Sequence, residues 1–189
     1  MCKIYGYVRV STIQQKVERQ INNIIGFNGD AIIISEKQSG KDIDNRAEFK
    51  KLLNKVKPGD TIIFDEVSRM SRNADEGFSL YMELLSKGIS LVFLKERHID
   101  TDEYKRRTQK HIEKVSSSNK KMDNLINEIL ELVAEFEQEN LKDNIRLAFE
   151  QAEHERQFLI KRVTEGKATS SKKQGRPEGS CNIKTDKAE

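Results

Sequence analysis

The sequence predicts an α/β domain: a mostly parallel sheet of four or more strands flanked by helices, followed by a long projecting C-terminal helix. Three observations predict it. Strand-like and helix-like apolar runs alternate with short connections through the first half, as parallel strands joined by covering helices do. The strand-like runs are nearly continuous in apolar residues, which fits strands buried on both faces. Then, from Ile89 to Glu165, neither glycine nor proline occurs, and apolar residues recur at helical intervals.

Taken in order, Ile4–Val10 reads as a strand, with Tyr5, Tyr7 and Arg9 alternating with Ile4, Val8 and Val10. Ile13, Val17, Ile21, Ile24 and Ile25 place a helix over Ile13–Phe27. Ala31–Ser35 is a short β-branched strand, closed by the polar stretch Glu36–Asp44. Arg46–Val56 reads as a helix with Phe49, Leu52, Leu53 and Val56 on one face. Lys57-Pro58-Gly59-Asp60 turns into the strand Thr61–Phe64. Asn73 is the expected cap of a helix running through Ser86, with Phe78, Tyr81, Met82 and Leu85 on its apolar side. Gly88 ends it, and Ile89–Leu94 is the fourth strand.

Beyond the sheet, Thr101–Val115 reads as one polar helix, and Ser116-Ser117-Ser118-Asn119 as a break able to cap the next. Asn119–Glu165 reads as helix throughout, with Leu125, Ile129, Leu132 and Phe136, then Ile145, Ala148, Ala152, Leu159 and Val163, at helical spacing. One stripe of that length exceeds what a small sheet can cover. The expectation is therefore pairing with a second chain, with Leu159 and Val163 buried; the alternative is a helical hairpin within the monomer. From Gly166 the chain is Lys/Ser-rich and reads as a flexible basic tail. The organisation expected is an α/β domain over 1–100, a helical region with a dimerisation helix over 101–165, and a basic arm over 166–189.

Composition narrows the class. Net charge is only +3, from 34 Lys+Arg against 31 Asp+Glu, so any basic surface has to come from clustering. Cys2 and Cys181 form no metal-ligand spacing, and a reducing cytoplasm is the expected compartment. No apolar run approaches the ~20 residues of a membrane span. No leader is expected ahead of Tyr7. No cofactor and no metal are expected.

The chemistry gathers at strand ends. Ser11 lies where a strand turns into a helix, two residues beyond Arg9. In open α/β sheets ligands collect at the carboxyl ends of strands, beside helix N-termini that favour anions. Alone, Ser11 would be an ordinary N-cap. Three more arginines change that reading. Arg46 opens the second helix, and Arg69 and Arg72 follow the third strand. Three residues apart in the first turn of a helix, Arg69 and Arg72 would share a face. Cations there oppose the macrodipole by roughly a few tenths of a kcal/mol each. A bound oxyanion such as a phosphodiester would remove that cost.

Tyr7-Val8-Arg9-Val10-Ser11-Thr12, with Gln15 and Gln20 after it, resembles the opening of the serine recombinases, the resolvase/invertase family. Ser39-Gly40 through Asn45-Arg46, then Gly59–Ile63, Ser68-Arg69-Met70-Ser71-Arg72 and Ile99-Asp100-Thr101 resemble its later blocks in order. Glu155-Arg156, Arg162, Glu165-Gly166 and Gly175-Arg176-Pro177 resemble its long helix and the arm beyond. The resemblance is close over 3–100 and looser over 149–179.

It implies a site-specific recombinase that cuts and rejoins double-stranded DNA without metal or ATP. Ser11 would be the nucleophile that forms a 5′-phosphoserine link, and Arg9, Arg46, Arg69 and Arg72 would stabilise the transition state. Tyr7, Gln15, Gln20, Ser68 and Glu155 would support them. Arg156, Arg162, Lys167, Lys172, Lys173 and Arg176 would contact DNA. The active assembly would be a homodimer, and a tetramer in the synaptic complex. Departures from the family are Ser68, where an aspartate commonly stands, and Asn45, where an acid often does; each removes a carboxylate able to orient an arginine. Glu137 and Glu155 both offer a register for the family's helix glutamate, and Glu155 fits more positions. Only ten residues follow Gly179, fewer than a helix-turn-helix needs. Two other readings compete: a catalytically silent accessory protein on DNA, and a metal-dependent nuclease using Asp42, Asp44, Asp65 and Glu66.

Overall fold

A computed structural model describes residues 2–9, 14–36, 46–108 and 114–169, with the backbone alone at 14–16 and 169. Four parallel strands build one sheet: β1 (Ile4–Arg9), β2 (Ile32–Glu36), β3 (Thr61–Phe64) and β4 (Ser90–Phe93), in the order β2-β1-β3-β4. The apolar runs of β1, β3 and β4 are buried on both faces as read, whereas the edge strand β2 is not, its Ile32 being 46% exposed. Tyr5, Tyr7, Ile62, Phe64, Leu91 and Phe93 face a core on one side, and Val8, Ile24, Ile63 and Val92 a second core on the other. Registers set Tyr7 beside both Ile34 and Phe64, and Arg9 beside Glu36.

The covering helices are α1 (Gln14–Phe27), α2 (Ala47–Lys55), the single turn α3 (Val67–Met70), α4 (Ala74–Ser86), α5 (Thr101–Thr108) and α6 (Lys120–Thr169). Asn73 caps α4 as expected, its side chain accepting from Glu76 N at 2.9 Å. Aromatic rings stack through the first core, Phe64 on Phe93 at 5.3 Å and Tyr7 against Phe49 at 4.6 Å.

Two expectations need correction here, as does the flexible tail expected from Gly166, since α6 runs on to Thr169. The polar helix does not reach Val115: α5 ends at Thr108, and 114–117 are not helical. The reason is a set of partners further along the chain. Asn127 accepts from Val115 N at 2.8 Å and donates to Val115 O at 3.0 Å, and Asp123 accepts from both Ser117 N and its hydroxyl at 2.7 Å. Backbone groups satisfied that way have no need of a helical ladder. Arg69 and Arg72, in turn, do not share a helical first turn. Arg69 is in the only turn of α3, and Ser71 leaves it extended (φ −141°, ψ 157°).

The chain forms two compact units, Met1–Glu155 and Arg156–Glu189. In the first, α6 buries Leu141, Ile145, Ala148 and Phe149, while Leu125, Ile129, Leu132 and Phe136 stay more than half exposed. Gly77 of α4 is what lets Phe149 in: a Cβ there would lie 2.4 Å from the ring. Glu153 accepts from Ala74 N at 2.9 Å, satisfying a donor at the start of α4. In the second unit, the helix continues to Thr169 with Phe158, Leu159, Ile160 and Val163 exposed. No hairpin break interrupts α6. At the outer strand β4, Leu91 N donates to Thr101 Oγ1 at 2.8 Å and Phe93 N to Asp100 Oδ1 at 2.7 Å. Among the described residues, no helix is long and apolar enough to cross a membrane.

Candidate active site

The site is built on the short turn α3. A helix leaves its last carbonyls without intrahelical partners. Ser71 N returns to Val67 O at 3.4 Å, and the next three carbonyls are taken by arginine. Arg9 donates Nη2 to Ser68 O at 2.7 Å, and Arg46 donates Nη1 to Arg69 O at 3.0 Å and Nη2 to Met70 O at 2.6 Å. These are charge-assisted bonds in a fork only a guanidinium can make. Arg9 and Arg46 are 2% and 3% exposed, so a surface role is excluded for both.

Each arginine is placed by its own element. Arg9 ends β1, where Gln20 of α1 brackets it, accepting from Arg9 N and donating to Arg9 O, both at 3.3 Å. Arg46 precedes α2, packed over the Phe49 ring at 4.5 Å. The first amides of α2 go to Glu36 at the end of β2, whose carboxylate accepts from Glu48 N at 2.9 Å and Phe49 N at 3.1 Å. Tyr7 forms the wall between Phe49 and Phe64, and burial pushes its hydroxyl up to about 12.

Burial, then the neighbouring charges of Arg72, Arg69 and Arg46, pushes the Arg9 guanidinium down; it stays cationic at neutral pH. Four predicted arginines thus share one electrostatic neighbourhood. Three of them, Arg9, Arg46 and Arg69, also carry a buried Nε with no hydrogen-bond partner among the described residues. Buried donors without acceptors are costly. The arrangement is a cage of N–H groups suited to the oxygens of an anion.

Asp65 and Glu66, candidates for metal ligation, are committed otherwise. Asp65 is fully buried, accepts from Asn23 Nδ2 at 2.8 Å and lies 3.7 Å from Arg19 Nη2. Glu66 pairs with Arg69 at 2.7 Å and with Lys95. Glu96 accepts from Val67 N at 3.1 Å and so caps α3; burial pushes its carboxyl up. Glu36 and Lys95 are site residues that sequence reasoning missed, and Glu66, read there only as a candidate metal ligand, is instead the partner of Arg69 and Lys95. For Glu66 the signal was present, an acid three residues before an arginine.

Glu155 and Glu137 are both exposed on α6 without bringing a group to the cluster, and Arg156, Arg162 and Lys167 lie further along it. Ser11, Lys172, Lys173, Arg176, Asn45, Asp42, Asp44 and the side chain of Gln15 lie outside the described residues.

Fold and cluster together define a class: an α/β domain with a cluster of buried arginines at the carboxyl end of its sheet. The family model described as "Resolvase, N terminal domain" matches residues 4–155. The chain belongs to that family. Similar proteins include the transposon Tn501 resolvase of Pseudomonas aeruginosa, 36% identical over 98 residues, which are 52% of this chain and 50% of that one. A resolvase of Clostridium perfringens is 32% identical over 99 residues, 52% of each chain. The DNA-invertase hin of Salmonella typhimurium is 37% identical over 83 residues, 44% of this chain and 43% of that one. The chain spans about half the length of the curated relatives it matches.

Proposed function

We propose that this chain is the catalytic part of a serine site-specific recombinase, which cuts DNA through Ser11 and holds the broken 5′ end as a phosphoserine. The observation that carries the reading is the cage of Arg9, Arg46 and Arg69, with buried Nε donors that lack partners among the described residues. A phosphodiester supplies the acceptors. Ser11, two residues past Arg9 in sequence, gives up its proton as its oxygen bonds to phosphorus. The bond from phosphorus to the 3′ oxygen breaks, and that oxygen leaves as a hydroxyl. Negative charge gathers on the non-bridging oxygens, where guanidinium N–H groups, Arg72 included, meet it. An arginine so placed is worth on the order of 10³–10⁵ in rate.

The phosphoserine keeps the bond energy, so rejoining is the reverse attack and needs no ATP. Arginine charge takes the part a metal ion would otherwise play. Gln20 and the Ser68 carbonyl fix Arg9, Tyr7 walls the site, and Gln15 supports it. Arg156, Arg162 and Lys167, with Lys172, Lys173 and Arg176 beyond, contact phosphates of double-stranded DNA. The working assembly is a cytoplasmic homodimer that pairs into a tetramer. Support for the dimer is the exposure of Leu159 and Val163, 58% and 55%, on a helix that has no apolar reason to present them to water.

The test is incubation with supercoiled DNA containing candidate crossover sites, read as covalent adducts on denaturing gels. Wild type should form adducts that persist in excess EDTA, and Ser11→Ala should form none while still folding and associating with DNA. Adducts from Ser11→Ala would end the proposal for this serine. No adduct from wild type would favour the silent accessory protein, and loss in EDTA restored by Mg²⁺ would favour the nuclease.

A further inference from the structure

Arg9 and Arg46 are held by carbonyls, but Arg69 is held differently. Its Nη1 reaches Arg9 O only at 3.4 Å, and its Nε has no partner among the described residues. Its one short contact among the described residues is Nη2 to Glu66 Oε1, at 2.7 Å. That same oxygen accepts the Ser68 hydroxyl at 2.6 Å. The other carboxylate oxygen pairs with Lys95, whose backbone N donates to Asp65 O at 3.2 Å just past β4. The Glu66 carboxylate is therefore fixed from both ends, by the α3 turn and by the segment after β4. It is a half-buried charged group with every contact charge-assisted or short.

We propose that Glu66 is the positioning carboxylate for Arg69, replacing an acid at position 68, and that Ser68 serves it as a donor. The inference rests on the recombinase reading for what Arg69 is positioned to do. The Ser68 hydroxyl lies within one hydrogen bond of the oxygen that binds Arg69, so an aspartate at 68 would put a carboxylate in almost the same place. Two carboxylates there would repel, and one suffices. With Nη2 held by Glu66, the Nε edge of Arg69 is left to the phosphate.

The experiment compares wild type, Glu66→Gln, Ser68→Asp and the double variant, with two readouts. The first is the nuclear magnetic resonance of the arginine side-chain N–H groups, which reports whether each guanidinium is locked. Glu66→Gln should release Arg69 alone, leaving Arg9 and Arg46 locked by their carbonyls, and Ser68→Asp in the same chain should lock Arg69 again. The second is the rate of adduct formation at saturating supercoiled DNA. It should fall on the order of 10²-fold in Glu66→Gln, the scale of a misplaced catalytic group, and recover in the double variant, with DNA association unchanged. The inference is overturned if Arg69 stays locked in Glu66→Gln, if all three arginines are released together, or if the double variant restores neither readout. Should wild type form no adduct, the recombinase reading fails, and the resonances alone decide whether Glu66 positions Arg69.

Discussion

Replacing Gly77 with alanine tests whether the docking of α6 on α4 depends on a missing methyl group. The added Cβ would lie 2.4 and 2.5 Å from Cδ1 and Cε1 of Phe149 and 3.0 Å from the Ser71 Cβ. Carbon atoms in good contact are ~3.5–4.0 Å apart, so the ring has to retreat by more than about 1 Å. It has little room: Phe149 is 2% exposed and meets Phe93 edge-on at 6.4 Å and 85°. Three effects compete. Alanine in a helix interior gains about 1 kcal/mol over glycine. Overpacking costs about 1–3 kcal/mol, and partial expulsion of Phe149 forfeits some of the ~3–5 kcal/mol that its full removal would. The net is a destabilisation of about 1–3 kcal/mol. Urea unfolding followed by circular dichroism measures it as a lower midpoint at unchanged slope. Phe149→Ala should cost less in the Gly77→Ala background than in wild type, because the new methyl fills part of the hole. A Gly77→Ala protein more stable than wild type by the full helix-propensity gain would refute the reasoning.

Thr101→Val keeps shape but leaves Leu91 N without its acceptor, and should cost about 1–3 kcal/mol in thermal unfolding; an unchanged midpoint would mean that water serves as well. Arg46→Lys can reach one of the Arg69 and Met70 carbonyls but not fork across both, so a loss of about 1–3 kcal/mol is expected in the same assay. For Glu66, burial pulls the carboxyl up, but the Lys95 and Ser68 hydrogen bonds and the Arg69 charge outweigh it and hold it at about 2. Its contribution is therefore full above the unfolded value of about 4.3 and lost as pH falls toward 2. The stability gap between wild type and Glu66→Gln should be flat above about pH 5 and close on acidification; a gap that widens in acid would contradict the sign. Leu159→Asp should shift the protein toward monomer in light scattering across a concentration series, and a wild type that is monomeric throughout would show that the exposed stripe has another use.

β1, β3 and β4 were legible because burial on both faces writes itself as an unbroken apolar run, and Thr61–Phe64 needed no adjustment at either end. Arg9 and Arg46 were legible as members of one cluster through their positions at element ends. What holds them was not, since the acceptors of Arg9 and Arg46 are main-chain carbonyls 59 and up to 24 residues away, and carbonyls leave no trace in residue identity. The spacing of Arg69 and Arg72 misled for the same reason: a three-residue interval reads as a helical face, but carbonyls satisfied by distant arginines let the turn stop at Met70. The overlong helix ending at Val115 shows the converse. Asn127 lies twelve residues from Val115, so its claim on that backbone is invisible to any local pattern.

The side chains of Thr101 and Asp100 occupy the outward N–H groups of Leu91 and Phe93 on the last strand of the sheet. An open strand offers a row of such groups to any extended chain that drifts past, and growth by strand addition is how soluble sheets become fibres. With those two donors taken, β4 is a poor template, and the sheet ends where the sequence ends it. The protection belongs to this edge of the sheet, the opposite edge being β2. Thr101→Val should accordingly raise the tendency to aggregate on mild heating by more than its cost in stability alone would explain.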